Sequence, residues 1–167
     1  VGIEPSCVLG FISDFTDLAT EPEKAKEISK NTMLIEDFFL YAIKKEEQFQ
    51  FSNPPQGQKV AFHGHCHQKA SDKSKHAVNI LRKVGYTVDD IDSGCCGMAG
   101  SFGYEAEHIS MSKSIGQVLF DQINSKPDGT LVTCGASCRA QLASHFLDEP
   151  AHPIEKLSEI LVTLESD

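Results

Sequence analysis

The feature that most constrains this chain is a threefold alternation. Short apolar runs, "KVAFHG" at 59–64, "YTVDDI" at 86–91 and "DGTLVTCG" at 128–135, are each followed by a stretch that contains helical spacing. Strands that alternate with helices close as a parallel sheet with helices over it. The predicted fold class is therefore α/β, a small parallel sheet covered by helices. Helices are expected over 69–84 with a stop at Gly85, over 105–123, from "SCRAQLASHF" at 137–146, and in "HPIEKLSEILVTL" at 152–164. Upstream, residues 21–49 begin with acidic residues and a proline suited to a first helical turn. Ile28, Leu34, Ile35, Phe38, Phe39, Ala42 and Ile43 then recur at helical spacing, which predicts a long helix broken near Asn31-Thr32. "FSNPPQGQ" at 51–58 reads as a turn or linker.

The 167 residues suffice for one domain with its own apolar core. The opening "VGI" reads as the end of a buried strand, as in a piece of a longer chain. A formal net charge of −9 argues against a nucleic-acid surface, which needs a basic stripe. Lys69, Lys73, Lys75, Arg82 and Lys83 form one local basic cluster, either a solvated helix face or a docking surface for an acidic partner. No apolar run is long enough for a transmembrane segment. The six cysteines include an adjacent pair, and their spacings are unlike a small secreted scaffold. They are expected as thiols or metal ligands in a cytoplasmic setting.

Cys66, the pair Cys95-Cys96, Cys134 and Cys138 all fall near strand-to-helix junctions. Loops at the carboxyl ends of neighbouring parallel strands can converge on one point, where open α/β sheets place ligands. Thiolates are soft ligands for iron–sulfur clusters or zinc. Adjacent cysteines fit a small tetrahedral zinc site poorly and a larger cluster better, which favours iron–sulfur chemistry. Gly94, Gly97, Gly100 and Gly103 recur every three residues around the pair and permit tight turns close to a cofactor. The bland alternative is a glycine-rich turn with buried free thiols, above all for Cys134 at the end of a buried strand. His63, His65 and His67 alternate; in an extended segment they face one side and Cys66 the other. They are candidates for a His-rich zinc site, for a proton-moving role beside a cluster or flavin, or for plain backbone hydrogen bonding. "GMAGSFG" at 97–103 is not the dinucleotide fingerprint.

Ser6, Cys7, Ser13 and Phe15 match Ser137, Cys138, Ser144 and Phe146 at a constant shift of 131 residues. The echo suggests two duplicated halves, the first mostly missing. If so, Cys7 should lie at a strand end, in surroundings like those of Cys138.

"HGHCHQKA" at 63–70, "DSGCCGMAGSFGYE" at 92–105 and "GASCRAQL" at 135–142 together resemble the cysteine-rich CCG domain. More narrowly, they resemble its occurrence at the C-terminus of flavin-linked 2-hydroxy-acid oxidoreductases, such as glycolate oxidase and D-lactate and D-2-hydroxyglutarate dehydrogenases. Heterodisulfide reductase subunits share the motif. The resemblance implies residues 1–50 as the end of a first CCG half with a linker helix, and 51–167 as the second half. It implies an iron–sulfur cluster of four-iron four-sulfur type on Cys66, Cys95, Cys96 and Cys138, with Gly97 and Gly100 close to it. Cys134 departs from the family's Cys-x-x-Cys by one position, and Cys7 corresponds to the final cysteine of the first half. The implied role is an electron-transfer module, inactive alone, whose partners are an FAD-carrying flavin domain of the same parent protein and an electron-acceptor protein. Its implied place is cytoplasmic, or peripheral to the inner face of the membrane. The alternatives are a structural zinc or docking module, using Cys66, Cys138, one of Cys95 or Cys96 and a histidine, or a heterodisulfide-reductase-like catalytic subunit.

Overall fold

Proline sets the start of the first helix. Pro5 opens helix α1 (Pro5–Ile12), where a missing N–H is no loss, and the Glu4 carboxylate caps it by accepting from the Ser6 N–H at 3.4 Å. Helix α2 (Asp14–Leu18) follows directly, and Pro22 opens α3 (Pro22–Lys30) in the same way. Helix α4 (Ile35–Lys44) completes this N-terminal arm. The expected break between α3 and α4 has a tertiary cause. The Gly2 N–H donates to the Met33 carbonyl at 3.1 Å and the Ile35 N–H to the Gly2 carbonyl at 2.9 Å, a parallel bridge between Gly2 and Leu34. The computed structural model describes residues 1–44, 49–54, 57–126 and 128–162, so the last residues of the expected 21–49 helix lie largely outside it.

Strand β1 (Gln50–Phe51) comes next, then β2 (Lys59–His63), α5 (Cys66–Ala70), α6 (Ser74–Lys83) and β3 (Thr87–Asp90). A 3-10 turn at Phe102–Tyr104 precedes α7 (Ile109–Asn124), β4 (Thr130–Thr133), α8 (Ala136–Phe146), α9 (Pro153–Ile160) and β5 (Leu161–Val162). The sheet is parallel, as expected, in the order β3-β2-β4, with Val60 opposite both Val88 and Thr130. Where a linker and a helix end were expected, β1 and β5 form a two-stranded antiparallel ribbon.

The 69–84 helix is two helices. Asp72 takes φ 57°, the left-handed conformation that ends a helix, and the Lys73 N–H turns back to the Gln68 carbonyl at 2.8 Å. Helix α5 also starts earlier than expected. The His65 side chain caps it by accepting from the His67 N–H, and Gln68 reaches back to the His65 N–H at 3.3 Å. Helix α7 starts four residues later than expected, after the 3-10 turn.

Strand alternation divides the core into two layers. Val60, Phe62, Val88, Val132 and Cys134 face α4, α6 and α9, where Phe39, Ile80, Leu81 and Leu157 meet them. Ala61, Leu131 and Ile91 face α7 and α8, whose Leu119, Phe120, Cys138 and Leu142 close the other layer. Fully burying a side chain such as Phe62 contributes about 1.5–3 kcal/mol. Cys134 and Cys138, four residues apart, therefore lie on opposite faces of the sheet.

Candidate functional site

The central strand β2 has β3 on one edge and β4 on the other, and the three strands end together. The loops beyond them form the crevice where sheets of this kind take ligands. The loops after β2 and β4 touch: a Cβ on Gly135 would stand 2.3 Å from Cδ2 of His65.

The loop after β3 carries Cys95 and Cys96, and it is tied at both ends. At its base, the Ser93 hydroxyl pairs with Nδ1 of His63 at 3.1 Å, and Lys69 donates to the Ser93 carbonyl at 2.5 Å. At its tip, Gln141 of α8 donates to the Cys96 carbonyl and to the Ser112 hydroxyl of α7, both at 3.0 Å. Directly after the second tie Gly97 adopts φ 98°, and a Cβ there would lie 2.0 Å from the Ser112 carbonyl oxygen. Only glycine satisfies both conditions. Gly100 also has positive φ, but open space beside it. Gly94 has neither feature, so the three-residue glycine rhythm does not describe four equivalent turns.

This loop brings two thiols to two others. Cys66 is the first residue of α5 and exposed; Cys138 lies in the first turn of α8 and is 2% exposed. The Cys138 thiol donates to the Cys96 sulfur, and that hydrogen bond is the main reason the Cys96 thiol is pulled down to about 7. Cys138 moves in the opposite sense: it holds the shared proton, it is buried, and negative charge on Cys96, Cys66 and Cys95 opposes its ionisation. Burial, then charge on Cys95 and Cys96, raises Cys66. The Gly97 N–H donates to the Cys95 sulfur at 3.3 Å. Cys66, Cys96 and Cys138 are thus each shifted by neighbouring sulfurs, Cys95 among them, from one loop and the first turns of two helices, a donor set that soft metals take.

The four sulfurs do not make a single-ion cage. A tetrahedral zinc with bonds of about 2.3 Å holds its sulfurs about 3.8 Å apart. Among the described residues, the one group of three or more ligand atoms within 4.8 Å of one another lies elsewhere, at Glu36, Cys134 and His152. The expected zinc set of Cys66, Cys138, one of the paired cysteines and a histidine is not drawn together in that way.

Cys134 belongs to this second group. It is 3% exposed, on the α4 and α9 side of the sheet, and its thiol donates to Oε1 of Glu36 at 3.1 Å. Burial, then the Glu36 charge, pushes the Cys134 thiol well up, and burial raises Glu36. His152, buried, stands with Nε2 at 3.8 Å from the same carboxylate oxygen. Neither Glu36 nor His152 was legible as a site residue. Glu36 sits in an amphipathic helix, and "HPIE" carries only a capping signal, which the structure uses.

The three alternating histidines do not share a face. Strand β2 ends at His63, His65 caps α5, and His67 lies inside α5. Burial, then the Lys69 charge, lowers His63 to about 3; burial also lowers His65. Cys7 occupies the third position of α1, as Cys138 does of α8, but Cys7 is exposed and α1 follows an isolated bridge, not a strand. The likeness expected of a duplicated half stops at that helical placement. In the basic cluster, Lys69 is bonded as above, Lys73 pairs with Asp37 at 2.7 Å, Lys75 with Asp72 at 2.9 Å, and Arg82 donates to the Val88 carbonyl.

The family model described as the CCG cysteine-rich domain matches residues 60–143, which hold all four sulfurs. One of the subunits of the anaerobic glycerol-3-phosphate dehydrogenase of Escherichia coli (strain K12) is 32% identical over 104 residues, 62% of this chain and 26% of that protein. D-2-hydroxyglutarate dehydrogenase of the same strain is 27% identical over 164 residues, 96% of this chain and 15% of that protein. The enzyme of that name from Haemophilus influenzae is 30% identical over 100 residues, 58% of this chain and 10% of that protein. The chain spans about a quarter or less of these relatives. The glycerol-3-phosphate relative was not foreseen from the sequence.

Proposed function

Because this chain belongs to the CCG cysteine-rich domain family, we propose that Cys66, Cys95, Cys96 and Cys138 hold an iron–sulfur cluster, of four-iron four-sulfur type, in an electron-transfer module. The observation that carries this reading is that Cys66, the Cys95-Cys96 pair and Cys138 stand beyond the carboxyl ends of β2, β3 and β4, three neighbouring parallel strands. Such a cluster supplies one-electron transfer between a flavin and an acceptor. The chain's own residues prepare the place. Cys96 offers a thiolate near neutral pH, the Gly97 N–H offers a hydrogen bond to sulfur, and the ties from Gln141, Ser93 and Lys69 fix the loop.

The partner is a flavin domain carrying FAD, and the substrate of the assembled protein is a 2-hydroxy acid. The named activity of the D-2-hydroxyglutarate dehydrogenases, aligned with nearly the whole chain, supports that substrate class. The chain itself turns over no substrate. Six free thiols suit a cytoplasmic setting, and among the described residues no helix is long and apolar enough to cross a membrane. Residues 1–50 are the end of a first CCG half and residues 51–167 the second; the Ser-Cys placement shared by α1 and α8 supports this division.

The test is anaerobic purification with iron and acid-labile sulfide analysis. About four irons per chain with visible charge-transfer absorption is the expected result. Anaerobic reconstitution that yields no iron uptake overturns the proposal.

A further inference from the structure

The second sulfur site is not part of that proposal. We propose that Glu36, Cys134 and His152 bind one zinc ion on the sheet face opposite the four-cysteine group. Their ligand atoms lie within 4.8 Å of one another and all three residues are buried. The Cys134 sulfur is 3.1 Å from Oε1 of Glu36, and Nε2 of His152 is 3.8 Å from the same oxygen. Zinc bonds of about 2.0–2.3 Å set neighbouring ligand atoms about 3.3–3.8 Å apart in a tetrahedron. The other Glu36 oxygen, Oε2, is buried with no hydrogen-bond partner, so a lone pair in the protein interior is unsatisfied. A cation satisfies it. Thiolate, imidazole and carboxylate are zinc's ordinary ligands. One thiolate, one carboxylate and one divalent ion also sum to zero charge, which a buried site favours.

The protons balance. In the metal-free chain Nδ1 of His152 accepts from the Ile154 N–H at 3.1 Å, so the ring proton sits on Nε2, which donates to the Ile3 carbonyl at 3.2 Å. Zinc takes the Nε2 lone pair. The ring proton moves to Nδ1, and the Cys134 proton leaves to solvent. The Ile154 N–H and the Ile3 carbonyl lose their partner, so loading loosens the hold of Ile3 on α9. Zinc's fourth position goes to a water. Helix α4, the end of β4 and the cap of α9 each supply one ligand, so the ion joins the N-terminal arm to the sheet.

The experiment uses the full chain, refolded without metal under anaerobic conditions and loaded with cobalt(II) as a spectroscopic substitute. The variant Cys66→Ser, Cys95→Ser, Cys96→Ser, Cys138→Ser removes the competing thiols. One cobalt per chain with a thiolate charge-transfer band is expected, and adding Cys134→Ser should abolish the band. No band in the fourfold variant, or a band that survives Cys134→Ser, overturns the site. If circular dichroism shows that variant unfolded, zinc is titrated into the wild-type chain after iron and sulfide reconstitution. One zinc per chain is then expected, weakened at least tenfold by Glu36→Gln with iron unchanged. Absent zinc, or zinc affinity indifferent to Glu36→Gln, overturns it. Zinc bound with no iron uptake rejects the cluster alone, so the two proposals fail separately.

Discussion

Cys134 and Cys138 are four residues apart and almost equally buried, at 3% and 2% exposure, yet their chemistry diverges. Cys134 continues the alternation of β4 and meets a buried carboxylate. Cys138 is one helical turn further on, faces the opposite layer, and donates its proton to a neighbouring sulfur. The one thiol is pushed up by burial and a negative neighbour. The other shares its proton with a sulfur that ionises near neutrality. Burial alone does not tell a filler cysteine from a ligand; the groups it faces do.

The sharpest way to break the comparison is to exchange sulfur for oxygen on each side. Cys138→Ser, like Cys96→Ser, should reduce iron bound on anaerobic reconstitution to near zero, while Cys134→Ser leaves it unchanged. Equal losses in both would show that the two faces form one site.

The next effect concerns the loop itself. Gly97→Ala places a side chain at φ 98° and 2.0 Å from the Ser112 carbonyl, so it should destabilise the metal-free chain by about 3 kcal/mol in chemical denaturation. A loss under about 1 kcal/mol would mean that α7 does not clamp the cysteine loop. Beside Cys134, Gly135 is also closely approached, at 2.3 Å from Cδ2 of His65, but its φ of −80° is one any residue adopts.

The base of the loop also gives the cysteine side an acid signature. The folded pKa of His63, about 3, lies below its unfolded value of 6.5, so the unfolded chain binds more protons between those values. The stability this group provides is present above pH 6.5 and is lost as pH falls toward 3. Between pH 7 and pH 5 it should cost about 2 kcal/mol. Denaturation of the metal-free chain at both pH values checks this, and His63→Gln should flatten the difference; an unchanged slope would place the acid sensitivity elsewhere.

Cys134→Ser should show the smallest effect, about 1 kcal/mol in the metal-free chain, because a hydroxyl still donates to Glu36. A loss above about 3 kcal/mol would indicate that sulfur packing in the α4 and α9 layer, not the hydrogen bond, sets its role.

Much of this molecule was legible before its structure. The runs around Val60, Val88 and Val132 are the three parallel strands, and Cys66, Cys95 and Cys96 stand beyond strand ends as read. The break after Lys30 was legible as a position, but not as the bridge from Gly2 that causes it. The histidines misled because alternation has meaning only while the chain stays extended, and His65 ends that by capping a helix. The β1–β5 ribbon escaped notice because two residues per strand carry no period.

The sequence by itself determined the alternation of strand and helix, the proline starts and the clustering of cysteines near strand ends, because these depend on neighbours a few residues apart. Tertiary structure alone decided which sulfurs meet. Cys96 and Cys138 are joined, and Cys134 is turned toward Glu36 and His152, by sheet pairing between strands far apart in the chain. A strand's side chains alternate between its two faces, and no local pattern records what waits on the far side of each.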